Sequence, residues 1–510
     1  MNDEHWPGRR RALGSLAASA GAAALLASGA GVSVARAAAA GRSAPRDELP
    51  AEPHFTVTGT YRPVDLLPSR FIDYDTGPLA HTPGRLTSAT GPAAPFASVL
   101  VDVAALPTGA EVAAGLETAD GDRAVRARCT AQGTVSLEVV TPDGTTTVAT
   151  AGHRLRPPFR LAFAVTGHTV AAFAATDGPG LPWRPLLTDG GAVAVLLDLR
   201  RPALLRRLRY ACRSDSAVLR RVRGGLFGQL GLRDLHLVQE AEGRPYVRNG
   251  RVFFTAGCAG AGFSQEAHTG VWAMDPARPG RLEQVAKLFF ARGGLLFGDH
   301  GGQVIYDAAR NRFIVVTVGG NLPSPGVRLY HTTTSADLIR GVHVLDGRPL
   351  EFPFTRSAWD PALLRSNGRW LWAYVDVTAY QPELHFHPVL AAAARGGDYA
   401  DGLARLPVPD GPQQTEGCRW QWFGGQPRLL VSDRAHRAYR RLDLAMRSCG
   451  TLDAPYPYGT PFPQVFRDPR RGQHGWLLVT FDETGYEQDV LPYGTHGRVV
   501  TMYAPGGRFP

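Results

Sequence analysis

Five acidic positions mark the second half of this 510-residue chain: Glu240 and Glu242, then Asp299, Asp360 and Glu416. Each lies at or near the start of a short apolar segment. If those segments converge, carboxylates from distant parts of the chain meet. Such a cluster is costly unless it is solvated, bound to metal or used. Cleavage of a glycosidic bond uses one: a protonated acid gives its proton to the leaving oxygen, and a carboxylate activates water from the other side. A gap of about 6.5–9.5 Å between the two implies inversion. His300 offers other chemistry, as a base or a metal ligand. Combined with Arg244 holding a uronate carboxylate, it would suit a polysaccharide lyase. His496 is a candidate for binding an axial water or ion. Trp359, Trp420 and Trp422 have the flat faces on which sugars stack. The sequence holds no GxSxG, P-loop, GxGxxG or HExxH pattern that reads as a site.

The elements that would position these residues repeat. Arg244-Pro-Tyr-Val, Gly302-Gln-Val-Ile, Asp360-Pro-Ala-Leu, Gly417-Cys-Arg-Trp and Phe462-Pro-Gln-Val each open a short strand, a turn and a second apolar strand. Their second residues, Pro245, Gln303, Pro361, Cys418 and Pro463, are spaced by 58, 58, 57 and 45 residues. Repeats of this length built from small antiparallel sheets predict a five-bladed β-propeller over 231–510. The innermost strands then line a central channel. Alternation along the first of them places Glu240, Glu242 and Arg244 on one face.

Within this frame, Ser357-Ala-Trp-Asp360-Pro-Ala-Leu-Leu with Ser366-Asn-Gly-Arg-Trp-Leu-Trp resembles the third-blade motif of glycoside hydrolase family 43. Thr415-Glu416-Gly417 with Gln426-Pro-Arg-Leu-Leu-Val-Ser432 resembles its fourth blade, and Phe462-Pro-Gln-Val and Tyr493-Gly-Thr-His496-Gly-Arg-Val its last blade and closing strand. The resemblance covers roughly 235–505. It implies Glu416 as general acid, Asp360 as the aspartate that orients it and tunes its pKa, and substrates containing arabinose, xylose or galactose. The sequence departs in the first blade. There Arg244 stands where the family has its base aspartate before Pro-x-Val, and Glu242 is the substitute for the base. Arg244, Trp359, Trp420, His300, Asp299 and His496 complete the expected site as substrate-binding residues. No cofactor is expected to be required. A calcium ion in the channel is a candidate structural ion.

The first half has a different rhythm. From His54 to Ser214, alternating runs such as Ser98-Val-Leu-Val-Asp-Val and Phe159-Arg-Leu-Ala-Phe-Ala-Val are separated by Asp-Gly turns. Strands so spaced predict a β-sandwich. Their order resembles a concanavalin- or laminin-G-like jelly roll. The fold class is therefore all-β, a sandwich over 54–214 and a propeller over 231–510, joined by a basic, glycine-bearing linker at 215–230.

Ahead of the sandwich, Arg9, Arg10 and Arg11 precede an alanine-rich run, and Ala35-Arg36-Ala37 forms a cleavage site. Residues 1–40 read as an export signal of the twin-arginine kind and 41–53 as a polar leader. An extracellular, monomeric protein is expected, with no membrane contact after cleavage. Export permits disulfides, and Cys129 with Cys212, and Cys418 with Cys449, are candidate pairs. The net charge of +10 is carried almost wholly by arginine, since Lys287 is the only lysine. No nucleic-acid-binding module accompanies it. The expected partner is a polysaccharide or oligosaccharide, and the expected activity glycoside hydrolysis. The alternatives are the lyase and a non-catalytic glycan-binding protein.

Overall fold

The computed structural model describes residues 52–176, 182–320, 326–468, 475–491 and 495–506. All belong to one compact unit, Pro50–Pro510. The expected export segment and most of the leader lie outside the described residues. No helix among the described residues is long and apolar enough to cross a membrane.

Two six-stranded sheets make the sandwich. One runs in the order Arg184–Asp189, Thr169–Thr176, Phe159–Thr166, Phe96–Ala105, Val218–Leu226, Ile72–Asp75. The other runs Arg85–Thr87, Leu208–Asp215, Glu111–Thr118, Ala124–Thr130, Thr134–Thr141, Gly144–Gly152. The period of two explains how they pack. Phe159, Leu161, Phe163 and Val165 point into the core between the sheets. Ala162 and Ala164 point the other way, with Phe96, Phe173 and Trp183, onto Ala261, Phe289 and Leu491 of the propeller. The first sheet is thus buried on both faces. The second turns an outer face of paired charges to water, among them Arg126–Glu138 (2.9 Å) and Arg213–Glu117 (2.8 Å).

The chain's one lysine lies in this contact. Lys287 is fully buried beneath the Phe71 ring (4.8 Å), and its Nζ donates to Phe227 O (2.7 Å) and Gln284 Oε1 (2.9 Å). His268 Nε2 lies 3.1 Å from it. Burial pulls its pKa down to about 8.

Five sheets form the propeller. Their inner strands are Leu232–Leu237, His300–Asp307, Ser357–Ser366, Thr415–Phe423 and Gln464–Arg467, each packed on the next and the fifth on the first. We number the blades I to V in that order. Blade V is completed by Thr56–Tyr61, which pairs antiparallel with Arg498–Ala504. A strand from the start of the described chain therefore closes the ring on strands from its end.

Three expectations are corrected here. Residues 54–61 serve blade V instead of opening the sandwich. The segment expected as a linker contains Val218–Leu226, which pairs along its length with Phe96–Ala105 inside the sandwich. Its glycines mark close approach: a Cβ at Gly225 would lie 2.1 Å from Phe71 O. All five cysteines are free thiols. Cys129 and Cys212 lie on strands separated by Glu111–Thr118. Two strand spacings, about 9.5 Å, exceed the reach of a disulfide. Cys418 and Cys449 lie on the first and fourth strands of blade IV, farther apart still.

Candidate active site

Each of the first four inner strands begins with the same irregularity. A bulge interrupts pairing between Arg233 and His236 in blade I, His300 and Gln303 in blade II, Trp359 and Ala362 in blade III, and Glu416 and Arg419 in blade IV. One residue in each bulge takes a left-handed backbone: Asp234 (φ 51°), Gly301 (59°), Asp360 (51°) and Gly417 (76°). Aspartate tolerates this conformation better than most residues. At Gly417 a Cβ would also meet the Phe462 ring at 2.3 Å. Bulges re-aim side chains. These four turn Asp234, Asp360 and the residue preceding Gly417, Glu416, toward one end of the channel.

The carboxylates there differ in surroundings. Asp360 and Glu416 are almost fully buried. Asp360 Oδ2 accepts the Gly417 N–H at 2.8 Å, tying blade III to the backbone beside Glu416. Trp359 Nε1 donates to Glu416 Oε2 at 3.1 Å. Burial, then the Glu416 charge, hold the Asp360 carboxyl well above the usual range, and Asp234 adds to this. Asp234 is moved the other way. Burial opposes its ionisation, but His300, Arg233 and His496 together bring its pKa below the ordinary value. His300 Nδ1 lies 3.4 Å from Asp234 Oδ2, and Arg233 Nε 3.7 Å. Arg419 supplies a buried cation, donating to Leu235 O (3.1 Å) and Cys418 O (2.6 Å). Asp360 and Asp234 both favour its charge. Within this group Asp360 is the member held toward its protonated form and Asp234 the member held as the anion.

Of the expected site residues, Asp360, Glu416, Trp359, His300 and His496 are brought to this end. Asp299 lies beside His300 but is closed off by a bidentate pair with Arg292 (2.7 Å for each contact). Trp420 is buried, and its indole N–H donates to Ala362 O at 3.1 Å, so it packs blades instead of facing sugar. Trp422 donates to Glu242 O at 2.6 Å, far from Glu416.

Glu242, Glu240 and Arg244 are misplaced in the sequence reading. The inner strand of blade I is Leu232–Leu237, and these residues follow its far end. Glu242 pairs with Arg365, at the end of the blade III inner strand (2.5 Å). Five residues separate Asp360 from Arg365, about 16 Å of extended chain. Arg244 is exposed and pairs with Glu240 at 3.1 Å. It therefore cannot hold a substrate carboxylate beside His300, and the lyase reading loses its clamp. The motif-like Arg244-Pro-Tyr-Val belongs to the turn that leads into the second strand of blade I. Asp234 and Arg419 were missed. A signal existed: Gly231-Leu-Arg-Asp-Leu-His-Leu-Val places an aspartate at the head of an apolar strand, as Trp359-Asp-Pro-Ala-Leu-Leu does. It was hidden because the interval from 234 to 301 is longer than those from 301 to 360 and 360 to 417. Blade I carries the additional strand Leu295–Phe297 before the chain enters blade II.

Among the described residues, no group of three or more His, Cys, Asp or Glu side chains is arranged to hold a metal ion.

No protein-family model matches the chain, and no curated protein matches it in sequence. Solved structures do. A thermostable family-43 glycoside hydrolase aligns at 12% identity over 55% of this chain and 95% of its own, with a TM-score of 0.36. A GH43_1 enzyme from Xanthomonas citri, complexed with xylotriose, aligns at 14% identity over 54% and 86%, with a TM-score of 0.37. A family 117 glycoside hydrolase from the marine bacterium Zobellia galactanivorans aligns at 10% identity over 54% and 91%, with a TM-score of 0.35. At these values the likeness assigns no activity.

Proposed function

We propose that this protein is an exported glycoside hydrolase that cleaves with inversion, using Glu416 as general acid and Asp234 as general base. The observation that carries the reading is the opposed treatment of carboxylates at one end of the channel. Asp234 is held as the anion by His300, Arg233 and His496, while Asp360 is driven toward protonation beside Glu416. Divergent environments of this kind separate a base from an acid. Glu416, steadied by the Trp359 indole N–H, donates its proton to the departing glycosidic oxygen. Asp234 takes a proton from water, which attacks the anomeric carbon from the other face. Asp360 touches neither event. It fixes the backbone beside Glu416 by accepting the Gly417 N–H. Arabinose-, xylose- or galactose-containing glycans are the substrate class that the blade III and IV motifs suggest.

A screen of the full chain against a polysaccharide panel, beside Glu416→Gln and with reducing ends and unsaturated products both recorded, tests this. Reducing ends released by wild type and lost in the variant are the expected result. Unsaturated products indifferent to Glu416 would replace the reading with a lyase. Oligosaccharide binding without turnover would replace it with a glycan-binding protein.

A further inference from the structure

Residues immediately before the left-handed position of each bulge are equivalent by register: Arg233, His300, Trp359 and Glu416. In blades III and IV these two side chains meet, as Trp359 donates to Glu416. Between blades I and II the contact is made differently: His300 lies against Asp234, the left-handed residue of its bulge, with Nδ1 3.4 Å from Oδ2. Glu416 thus receives an N–H from the neighbouring blade, and Asp234 faces an imidazole nitrogen of its neighbour. His300 Nδ1 is buried and has no hydrogen-bond partner of regular geometry; the Asp234 carboxylate at 3.4 Å is the acceptor it faces. Its backbone is fixed by pairing with Val318 and by Thr317 Oγ1, which donates to His300 O at 3.4 Å.

We infer that His300 is a positioning residue: its Nδ1–H orients the Asp234 carboxylate and, when the ring is charged, holds it ionised. This rests on the glycosidase reading. The charged groups around the pair are Arg233, 3.7 Å from Asp234; Asp299, already neutralised by Arg292; His496, which favours the Asp234 anion; and Asp360 across the channel, whose Oδ1 lies 4.0 Å from where a Cβ on Gly301 would stand. Arg292 is committed to Asp299. Arg233 approaches from the Asp234 side itself. His300 is therefore the contact that blade II offers the base.

The test separates this inference from the activity on which it rests. Full-length protein labelled with carbon-13 at the aspartate side-chain carboxyl is titrated by NMR, with Asp234 assigned from the signal lost in Asp234→Asn. The His300→Gln variant should titrate Asp234 about one pH unit or more above wild type, with the aspartates other than Asp299 and Asp360, which sense His300 and Asp234, unmoved. An unchanged Asp234 midpoint overturns the inference whether or not any glycan is cleaved. On the polysaccharide found in the panel, His300→Gln should lower kcat with KM little changed and move the acid limb of the pH profile upward. His300→Asn, whose neutral amide N–H stands near the Nδ1 position where that of glutamine lies one methylene farther out, should recover part of kcat and leave the acid limb displaced. Equal loss in both variants with no movement of the limb would mean a structural role only, and the inference would fall.

Discussion

At the lower end of the propeller channel, acids alternate with bases. Glu242 meets Arg365, Arg365 meets Asp307 (3.2 Å), Asp307 meets Arg312 (3.3 Å), and Arg312 and Arg310 meet Asp398. Asp307 is completely buried, with every neighbouring charge opposite to its own. At the upper end, Asp234, Asp360 and Glu416 crowd together in like charge. Asp307 and Arg365 stand at the ends of the two inner strands whose beginnings carry His300 and Asp360. The difference is one of purpose. Alternating charge gains little over an apolar contact but loses heavily when one partner is removed. Crowded like charge is a cost carried by the fold, and it drives the carboxyls apart, Asp360 above the ordinary range and Asp234 below it.

The contrast can be broken in several ways. Glu416→Gln and Asp234→Asn should each lower turnover by about 10²–10⁴-fold, with little loss of stability in urea. Glu242→Gln should leave turnover intact; a comparable fall there would show that the lower end also works on substrate. Asp307→Ala should do the reverse of the upper-end variants, costing about 3–5 kcal/mol in urea unfolding while the folded fraction keeps its turnover. A third carboxyl sharpens the rule. Glu266 is buried where the domains meet, its Oε1 3.1 Å from His168 Nδ1, and burial raises its pKa to about 8. Its folded value exceeds the unfolded one. Its contribution is therefore complete below about pH 4.5 and disappears as the pH rises toward 8. Glu266→Gln should thus flatten the decline of melting temperature between those values. The smallest effect belongs to Arg244→Ala, where an exposed pair is worth less than about 1 kcal/mol and turnover should not change.

How much of this was legible follows from which signals are local. Asp360 and Glu416 are expected together and the fold brings them together, because each sits inside its own strand-and-turn pattern. Asp234 is not, although its strand has the same pattern. A rival segment ten residues later matched the repeat spacing better, and spacing was the only guide to register. The glycine pair at 224–225 was read as part of a linker, whereas it lets its strand lie against the Tyr210 ring and the Phe71 backbone.

By itself, the sequence determined the five-part repeat, the all-β character of both halves and two of the three carboxylates. Those depend on period and turn chemistry, which act over a few residues. Only the tertiary structure decided which strand of blade I is innermost, that Thr56–Tyr61 closes the ring, and that Glu242 and Asp234 lie at opposite ends of one channel. Those depend on pairings between strands hundreds of residues apart, where burial of whole faces, and no local preference, selects the register.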